Sequence, residues 1–436
     1  MARMAESTTV FVDVEELRIG MFVYLDLGWM SHPFPSSSFK ISNERQLEAI
    51  RSLDLKRVRC SVAKSDTKPS TADATQEVSG SPMASASAAQ AAEILQIAAA
   101  GAARRRDQLA AQKLRFSRCE EGFSRATQAC VQVMACVGAQ PEVARVKSQA
   151  LVHEIVDQMI GDGESMIHLL SDGSGERAAL HPVNVTVISL LLGKAMQLPE
   201  PQLQALGLAA LWHDAGKAQL PERVRWRDPS FTPVEDKVHQ EHVALSVASA
   251  QRMGLSEAIL QGIAQHHEMV DGSGFPVGVK GDAISLPARI LALVNRYDNL
   301  CNPANPTLAL TPHEALALIF AQHRTRFDAA SLNAFVRLMG VYPPGSVVQL
   351  VDDRYALVMS VNGARPLRPQ VLVYAPEVPK VEALIMNLED APEGGIKRSL
   401  KPLHLPQAAL SYLSPRKRIS YFFEQKLLPE GAGIAA

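Results

Sequence analysis

His213 and Asp214 are adjacent at the end of an apolar run, residues 203–212, whose spacing is helical. A neutral imidazole and a carboxylate are both ligands of divalent metal ions. Lys217 follows His213 by four residues, so the two side chains would share one face of a helix. Its ammonium group suits a phosphate oxygen. An isolated pair of this kind is more often a surface pair near a helix end, so the other histidines decide the interpretation.

Six of the twelve histidines lie between residues 181 and 267, and five of them are candidate ligands in helical stretches or at the ends of such stretches. These five are His181, His213, His242, His266 and His267. Solvated surface histidines would be spread more evenly along the chain. A loop rich in glycine follows directly, at residues 271–276. This spacing indicates helices that converge on a metal centre with a loop beside it.

The order of these motifs resembles that of the HD-GYP phosphodiesterases, a branch of the HD metal-dependent phosphohydrolases. That family has a lone histidine, then His-Asp-x-Gly-Lys, another histidine, His-His-Glu…Asp-Gly-Ser-Gly-Tyr-Pro and an aspartate-containing helix. This sequence has His181, HDAGK at 213–217, His242 and HHEMVDGSGFP at 266–276. The resemblance covers roughly residues 175–340 and is specific, because both order and spacing fit.

The resemblance implies an all-helical domain that holds divalent metal ions, usually iron or manganese. Asp214 would bridge the metals, and a hydroxide between them would attack a phosphodiester phosphorus. The other implied ligands are His181, His213, His242, His266 and His267. Lys217 would hold a phosphate oxygen at the transition state. Gly274, Phe275 and Pro276 would line the substrate.

Two departures from the family pattern concern charge. Asn295 stands where the family has an aspartate ligand, although Asp298 is retained three residues later. An amide oxygen coordinates metal more weakly than a carboxylate and adds no charge. The family then has an arginine and a lysine that hold the substrate phosphates, whereas residues 301–307 contain no cation.

Two further departures are smaller. Arg177 stands where three-metal members of the family have a carboxylate, so we expect two metal ions. Phe275 replaces the family's tyrosine, and its ring can still stack on guanine.

Some polar residues near the motifs have structural interpretations. His239 lies close to His242 and could be mistaken for the ligand. We expect Glu268 and Asp271 to fix the loop rather than to bind metal. Arg289 is expected to form a structural ion pair.

Composition excludes several classes of function. The 436 residues carry a net charge of −1, which leaves no basic footprint for nucleic-acid binding. No apolar run long enough to span a membrane and no signal-peptide core are apparent. The five cysteines are scattered and odd in number, as expected for reduced thiols in a cytoplasmic protein.

The fold class predicted from these patterns is mainly α: a helical HD-type domain, a small α+β module before it and a short β-meander after it. The predicted module spans 9–64, with a helix at 43–53 that Ser42 would cap. It resembles a module that often precedes HD-GYP domains, including its Trp29 and Phe34. A flexible linker (65–92), a helical connector (93–174) and the catalytic domain (175–340) follow. Residues 345–376 would form the meander, and 377–436 a tail without a clear pattern.

The leading hypothesis is a cytoplasmic phosphodiesterase that hydrolyses a cyclic dinucleotide, most simply cyclic di-GMP, at a metal centre. The substrate comes from the resemblance, because spacing alone supports only metal-assisted phosphoester hydrolysis. The alternative is an inactive relative that binds nucleotide or a partner such as a diguanylate cyclase domain; Asn295 favours it. The central helices either pack on the catalytic domain or form a homodimer seam.

Overall fold

The structure is a computed structural model. It describes residues 9–25, 38–51, 53, 55–61, 64–66, 83–160, 166–175, 179–363, 365–391 and 395–424; for residues 83–99 it describes the backbone only. The chain divides into two compact units, Met1–Leu95 and Gln96–Ala436.

The first unit is a small sheet with one helix. Strands β1 (Thr9–Asp13), β2 (Phe22–Tyr24), β3 (Ser38–Lys40) and β4 (Arg57–Ser61) pair antiparallel in the order β1-β4-β2-β3. Helix α1 spans Glu44–Arg51. Alternate strand residues point to one face, so Val12, Val23 and Val58 form a core with Leu47 of α1. The predicted α+β module is therefore present.

Helix α1 begins one residue later than its sequence suggested. Ser42 was the expected N-cap, but Oδ1 of Asn43 accepts the hydrogen bond from the Gln46 amide. The Ser42 hydroxyl instead donates to the Gln46 side chain. Asparagine accepts a hydrogen bond from a free helical N–H as well as serine does, which explains why Asn43 can cap the helix in place of Ser42. Trp29 and Phe34 lie outside the described residues.

The second unit is mainly helical. Its long connecting helices are α2 (Met83–Cys136), whose residues from Gln96 onward belong to this unit, and α3 (Pro141–Met159). The helices that follow are α4 (Leu180–Ala195), α5 (Glu200–Trp212), α6 (Glu222–Arg225), α7 (Pro233–Gln240), α8 (His242–Arg252), α9 (Glu257–Ala264), α10 (Leu286–Cys301), α11 (Pro312–Gln322), α12 (Ala329–Met339) and α13 (Gln407–Leu413).

Helix α4 forms the centre of this unit. Its residues from Val183 to Gly193 are all buried, and it packs against α5, α10 and α12. A helix that is apolar on every side can only be stable when other elements surround it. The predicted ligands therefore lie on, or at the ends of, helices that a large common core holds in place.

The connecting helices pack on this same core. Phe123 of α2 and Val152 of α3 are fully buried in it, and α3 contacts α5. This confirms the first of the two interpretations of these helices and leaves the dimer seam as a prediction. Most of the expected linker, 65–92, lies outside the described residues, but its last ten residues belong to α2.

The second unit also contains a seven-stranded sheet, which is larger than the expected meander. The predicted strands are β6 (Val347–Leu350), β7 (Tyr355–Asn362) and β8 (Gln370–Val373). Four strands join them: β5 (Met166–Leu169), β9 (Ile385–Asn387), β10 (Ile396–Leu400) and β11 (Tyr421–Glu424).

Two of these additions come from segments whose sequence did not indicate a sheet. Strand β5 lies in the range expected to be helical, and β11 lies in the tail without a clear pattern. They pair with each other, and β5 also pairs with β7. Such long-range pairing compensates for weak local patterns.

Within the described residues, no helix is both long enough and apolar enough to span a bilayer.

Candidate metal centre

The predicted ligands lie at the ends of four helices that meet in the second unit. His181 is in the first turn of α4, and His213 directly follows α5. His242 is the first residue of α8. His266 and His267 follow the last turn of α9. These helix ends therefore bring the side chains together at one point.

Asp214 lies between two groups of histidines. Its Oδ2 atom is 3.2 Å from Nε2 of His181 and 3.4 Å from Nε2 of His213. Its Oδ1 atom is 3.4 Å from Nε2 of His242 and 3.8 Å from Nε2 of His266. The two oxygens of one carboxylate therefore face different sets of imidazoles. This geometry suits a carboxylate that bridges two cations.

The potential ligand atoms form two compact sets that share Asp214. One contains His181 and His213, and the other contains His242, His266 and His267. Within each set, one ligand atom from each residue lies within 4.8 Å of all the others. This spacing is suitable for one metal ion per set.

Backbone carbonyls orient three of the imidazoles. Nδ1–H of His213 donates to the carbonyl of Ala210 at 2.6 Å. His242 and His266 make the same contact, at the same length, with the carbonyl three residues earlier. A hydrogen bond at Nδ1 leaves the lone pair on Nε2, the atom that faces Asp214. The backbone thus sets the tautomer that metal binding requires.

A carboxylate orients His181 instead. Nδ1–H of His181 donates to Oδ2 of Asp298 at 2.6 Å. The other oxygen of Asp298 accepts hydrogen bonds from Asn184 and Asn302. From the sequence, Asp298 was identified only as a retained family residue, and its helical spacing from Asn295 was the available signal. Its contact with His181 depends on the packing of α10 against α4.

Several buried atoms of the site have no hydrogen-bond partner in the described part of the chain. They are Oδ1 of Asp214 and Nε2 of His242, His266 and His267. Leaving a buried polar atom without a partner costs about 1–3 kcal/mol. Burial lowers the pKa of His242 to about 4 and holds the pKa values of His266 and His267 well below the usual value. These neutral imidazoles fit divalent metal ions.

On the Oδ2 side of Asp214, the surroundings of His181 favour its protonated form. Burial by itself would lower the pKa of His181, but hydrogen bonds to Asp214 and Asp298 raise it to about 9. Burial would also raise the pKa of Asp214, but Lys217 and His213 hold it well below the usual value. The carboxylate is therefore ionised and available to a cation.

Lys217 lies beside Asp214, but it does not lie on the continuous helix that the sequence predicted for residues 213–217. Helix α5 ends at Trp212, and residues 215–219 form a 3₁₀ turn, so His213 and Lys217 do not share a helical face. The turn nevertheless places Nζ of Lys217 2.5 Å from Oδ2 of Asp214. The same ammonium lies 5.5 Å from the centre of the Trp226 ring.

Gly216 allows this turn to lie directly on α8. A Cβ atom at Gly216 would be 2.2 Å from the carbonyl oxygen of His242 and 2.6 Å from the amide nitrogen of Ser246. The Gly216 amide donates to the Ser246 hydroxyl at 2.8 Å. Any side chain here would separate Asp214 from His242, which is why the motif needs glycine.

Glu268 holds the loop that follows the paired histidines. Its carboxylate accepts hydrogen bonds from the amides of Val277, Gly278 and Val279. Asp271 accepts from the Ser273 amide. Both residues have the loop-fixing role expected from the sequence.

The loop lies close against the centre. A Cβ atom at Gly274 would be 2.5 Å from the carbonyl oxygen of His267. The ring of Phe275 stacks on the ring of His267, with centroids 4.4 Å apart. Pro276, the third residue expected to line the substrate, is exposed and follows a cis peptide bond.

Asn295 is buried, but its side-chain oxygen is already in use. It accepts a hydrogen bond from Nδ2 of Asn299, four residues later on α10.

His239 donates to the carbonyl of Val224 and is not part of either ligand set. Arg289 pairs with Asp282 and Asp328, as expected of a structural residue. Arg177 lies outside the described residues.

Comparison with known families agrees with this arrangement. Residues 164–331 match the family described as the HD domain. Residues 9–147 match a domain of unknown function, DUF3391, which extends beyond the module predicted for 9–64.

Curated relatives include several phosphodiesterases. A cyclic di-GMP phosphodiesterase of Pseudomonas aeruginosa is 27% identical over 379 residues, which cover 83% of this chain and 84% of the relative. A cyclic di-GMP phosphodiesterase response regulator of Xanthomonas campestris is 31% identical, over 34% of this chain and 39% of the relative. A 3'3'-cGAMP-specific phosphodiesterase of Vibrio cholerae is 26% identical, over 39% of this chain and 37% of the relative.

Proposed function

Because residues 164–331 match the HD-domain family, we propose that the chain is a member of its HD-GYP branch and a metal-dependent phosphodiesterase of cyclic dinucleotides. The observation that carries the proposal is the position of Asp214, whose two oxygens face two separate sets of imidazoles. The names of the curated relatives support both the reaction and the substrate class.

We assign the two proposed metal ions, iron or manganese, to the two sets of ligands. His181 and His213 would hold one, and His242, His266 and His267 the other, with Asp214 shared. When bound, the cations supply Lewis acidity and an activated water. The buried imidazoles, fixed at Nδ1, hold this geometry without reorganisation.

Other residues would position the substrate. Lys217 would bind a non-bridging phosphate oxygen, because its ammonium already lies beside Asp214. Phe275 would offer a ring to a base, next to the backbone of Gly274 and Pro276. Asn295 would support the site from α10 without contributing charge.

Cyclic di-GMP is the substrate that we propose within this class. The setting would be bacterial second-messenger signalling in the cytoplasm, where diguanylate cyclase domains are natural partners. We place the catalytic domain at 175–340 and keep a homodimer through α2 and α3 as a further proposal. An inactive, nucleotide-binding relative is the alternative, favoured by Asn295 and by the absence of a cation in residues 301–307.

The test is hydrolysis of cyclic di-GMP by protein purified without oxygen and loaded with iron(II) or manganese(II). His213→Ala is the matched inactive form, because it removes one ligand. We expect turnover by the wild type and at least a hundredfold loss in the variant. Absence of turnover in the metal-loaded wild type, with nucleotide still bound, would support the alternative.

A further inference from the structure

Two asparagines hold the carboxylate that orients His181. Asn184 lies on α4, three residues after His181, and Asn302 directly follows the last residue of α10. Nδ2 of Asn184 donates to Oδ1 of Asp298 at 3.1 Å, and Nδ2 of Asn302 donates to the same oxygen at 2.9 Å. Oδ2 of Asp298 accepts from Nδ1–H of His181 at 2.6 Å. The two asparagines therefore fix the carboxylate that in turn fixes the imidazole.

Both asparagines also bind the segment that leads into β11. Nδ2 of each side chain donates to the carbonyl oxygen of Ile419, at 2.8 Å in both cases. Oδ1 of Asn302 accepts from the Ile419 amide at 2.8 Å. Oδ1 of Asn184 accepts from the Tyr421 amide at 3.2 Å. Each asparagine thus uses both of its donors and its acceptor to join Asp298 to this segment.

This network is buried at its centre. Asn184 and Asp298 are each only 1% exposed. Buried polar groups that satisfy one another stabilise a single arrangement, whereas a buried group that loses its partner costs free energy. Displacement of the Ile419 backbone would leave both asparagines short of partners. The direction of the His181 ring therefore depends on a segment that is far away in sequence, since 235 residues separate Asn184 from Ile419.

Contacts with three other elements set the position of this segment. Strand β11 pairs antiparallel with β5. The Tyr421 hydroxyl donates to the carbonyl of Pro344 at 3.0 Å, and its oxygen accepts from the hydroxyl of Tyr297 on α10 at 3.0 Å. Phe422 packs against α2, where a Cβ atom at Gly122 would be 2.7 Å from its ring. The backbone that binds the asparagines is thus held by β5, α10 and α2.

Three other candidate ligands are oriented locally instead. Nδ1–H of His213, His242 and His266 donates in each case to the carbonyl three residues earlier. These contacts form within four consecutive residues, so they do not require β11. Among these imidazoles and that of His181, the dependence on β11 falls on His181.

We propose that Asn184 and Asn302 are positioning residues of the metal centre and that the backbone around Ile419 is their anchor. Metal binding by the set of His181 and His213 then depends on the docking of β11, whereas metal binding by the other set does not. The inference rests on the proposed function, because it concerns a metal ion assigned there. It deepens that function by naming what controls one of the two ions.

The first experiment titrates the metal-free protein with manganese(II). His181→Ala identifies the binding step of the first set, because it removes a ligand of that set alone. In Asn302→Ala we expect the affinity of this step to fall on the order of tenfold, as for the loss of other groups that orient a ligand. The affinity of the other step should stay at the wild-type value. Asn333→Ala, at an exposed position of α12, is the matched control and should change neither step.

The second experiment uses hydrogen exchange and does not require Asn302→Ala to fold. Coupling between two events is reciprocal, so metal binding that depends on the docking of β11 must also stabilise that docking. We expect manganese to slow exchange at the amides of Ile419 and Tyr421 more than at the amide of Val371 in β8. This additional protection should be lost in His181→Ala.

The outcomes separate failure of the inference from failure of the proposed function. If the protein hydrolyses no cyclic dinucleotide but Asn302→Ala weakens only the first step, the positioning role stands and the proposed function falls. If hydrolysis is found but Asn302→Ala matches Asn333→Ala at both steps, the positioning role is refuted and the function stands. An equal fall at both steps would also refute it, because that result indicates a general loosening of the fold. Equal protection of the three amides would refute the dependence on β11.

Discussion

Oδ2 of Asp298 accepts a hydrogen bond of 2.6 Å from Nδ1 of His181, and this contact directs Nε2 of the same imidazole toward Asp214. The other oxygen of Asp298 is held by Asn184, which also donates to the carbonyl of Ile419. Asn184 further accepts from the Tyr421 amide of β11. The C-terminal strand therefore supports the first proposed ligand through two hydrogen-bonded residues.

Asp298→Asn should weaken metal retention. The amide keeps the shape of the side chain but removes the charge that makes His181 a stronger ligand, so we expect metal affinity to fall about tenfold or more. The measurement is manganese titration of the metal-free protein. Asp282→Asn is the control, because that carboxylate is exposed and pairs with Arg289. Equal affinities in the two variants would contradict the positioning role of Asp298.

Asn295→Asp should increase metal retention and turnover. The change restores a carboxylate on the α10 face that also holds Asp298, and its oxygen can still accept the hydrogen bond from Asn299. Metal content after dialysis and kcat for cyclic di-GMP are the measurements. Asn333→Asp, at an exposed position of α12, controls for the added charge. If Asn295→Asp leaves both quantities unchanged, Asn295 does not contact the metal.

Gly216→Ala should destabilise the fold and separate the two sets of ligands. The added methyl would overlap the His242 carbonyl, and such overpacking typically costs about 1–3 kcal/mol, with more where only backbone can move. Urea unfolding and manganese titration measure the two effects. Gly101→Ala is the matched control, since a Cβ on this residue of α2 would meet nothing within 4 Å. Its helix propensity should leave stability equal or slightly raised.

Glu268→Gln should loosen the loop without unfolding the domain. The charged acceptor of three backbone amides would be replaced by a neutral group that also carries donors, at a local cost of about 1.5–3 kcal/mol. We expect hydrogen exchange at Val277, Gly278 and Val279 to accelerate on the order of tenfold. Glu257→Gln, on the surface of α9, should show no change. Unaltered exchange in Glu268→Gln would mean that the loop is held by other contacts.

The sequence by itself determined the candidate ligand set and its helical setting. Residue type decides which side chains bind a divalent cation, and the apolar periodicity around His181, His213 and His242 decides that they lie on helices. Both properties are local, so they can be read without knowing the fold. The three strands that lie within the predicted meander, residues 345–376, were found for the same reason.

The tertiary structure alone decided how Asp214 divides its two oxygens, which residue orients His181, and where β5 and β11 lie. Each of these depends on contacts between segments far apart in sequence, such as the 117 residues that separate His181 from Asp298. No local pattern encodes such contacts, because the packing of the whole helical core sets the distances between them.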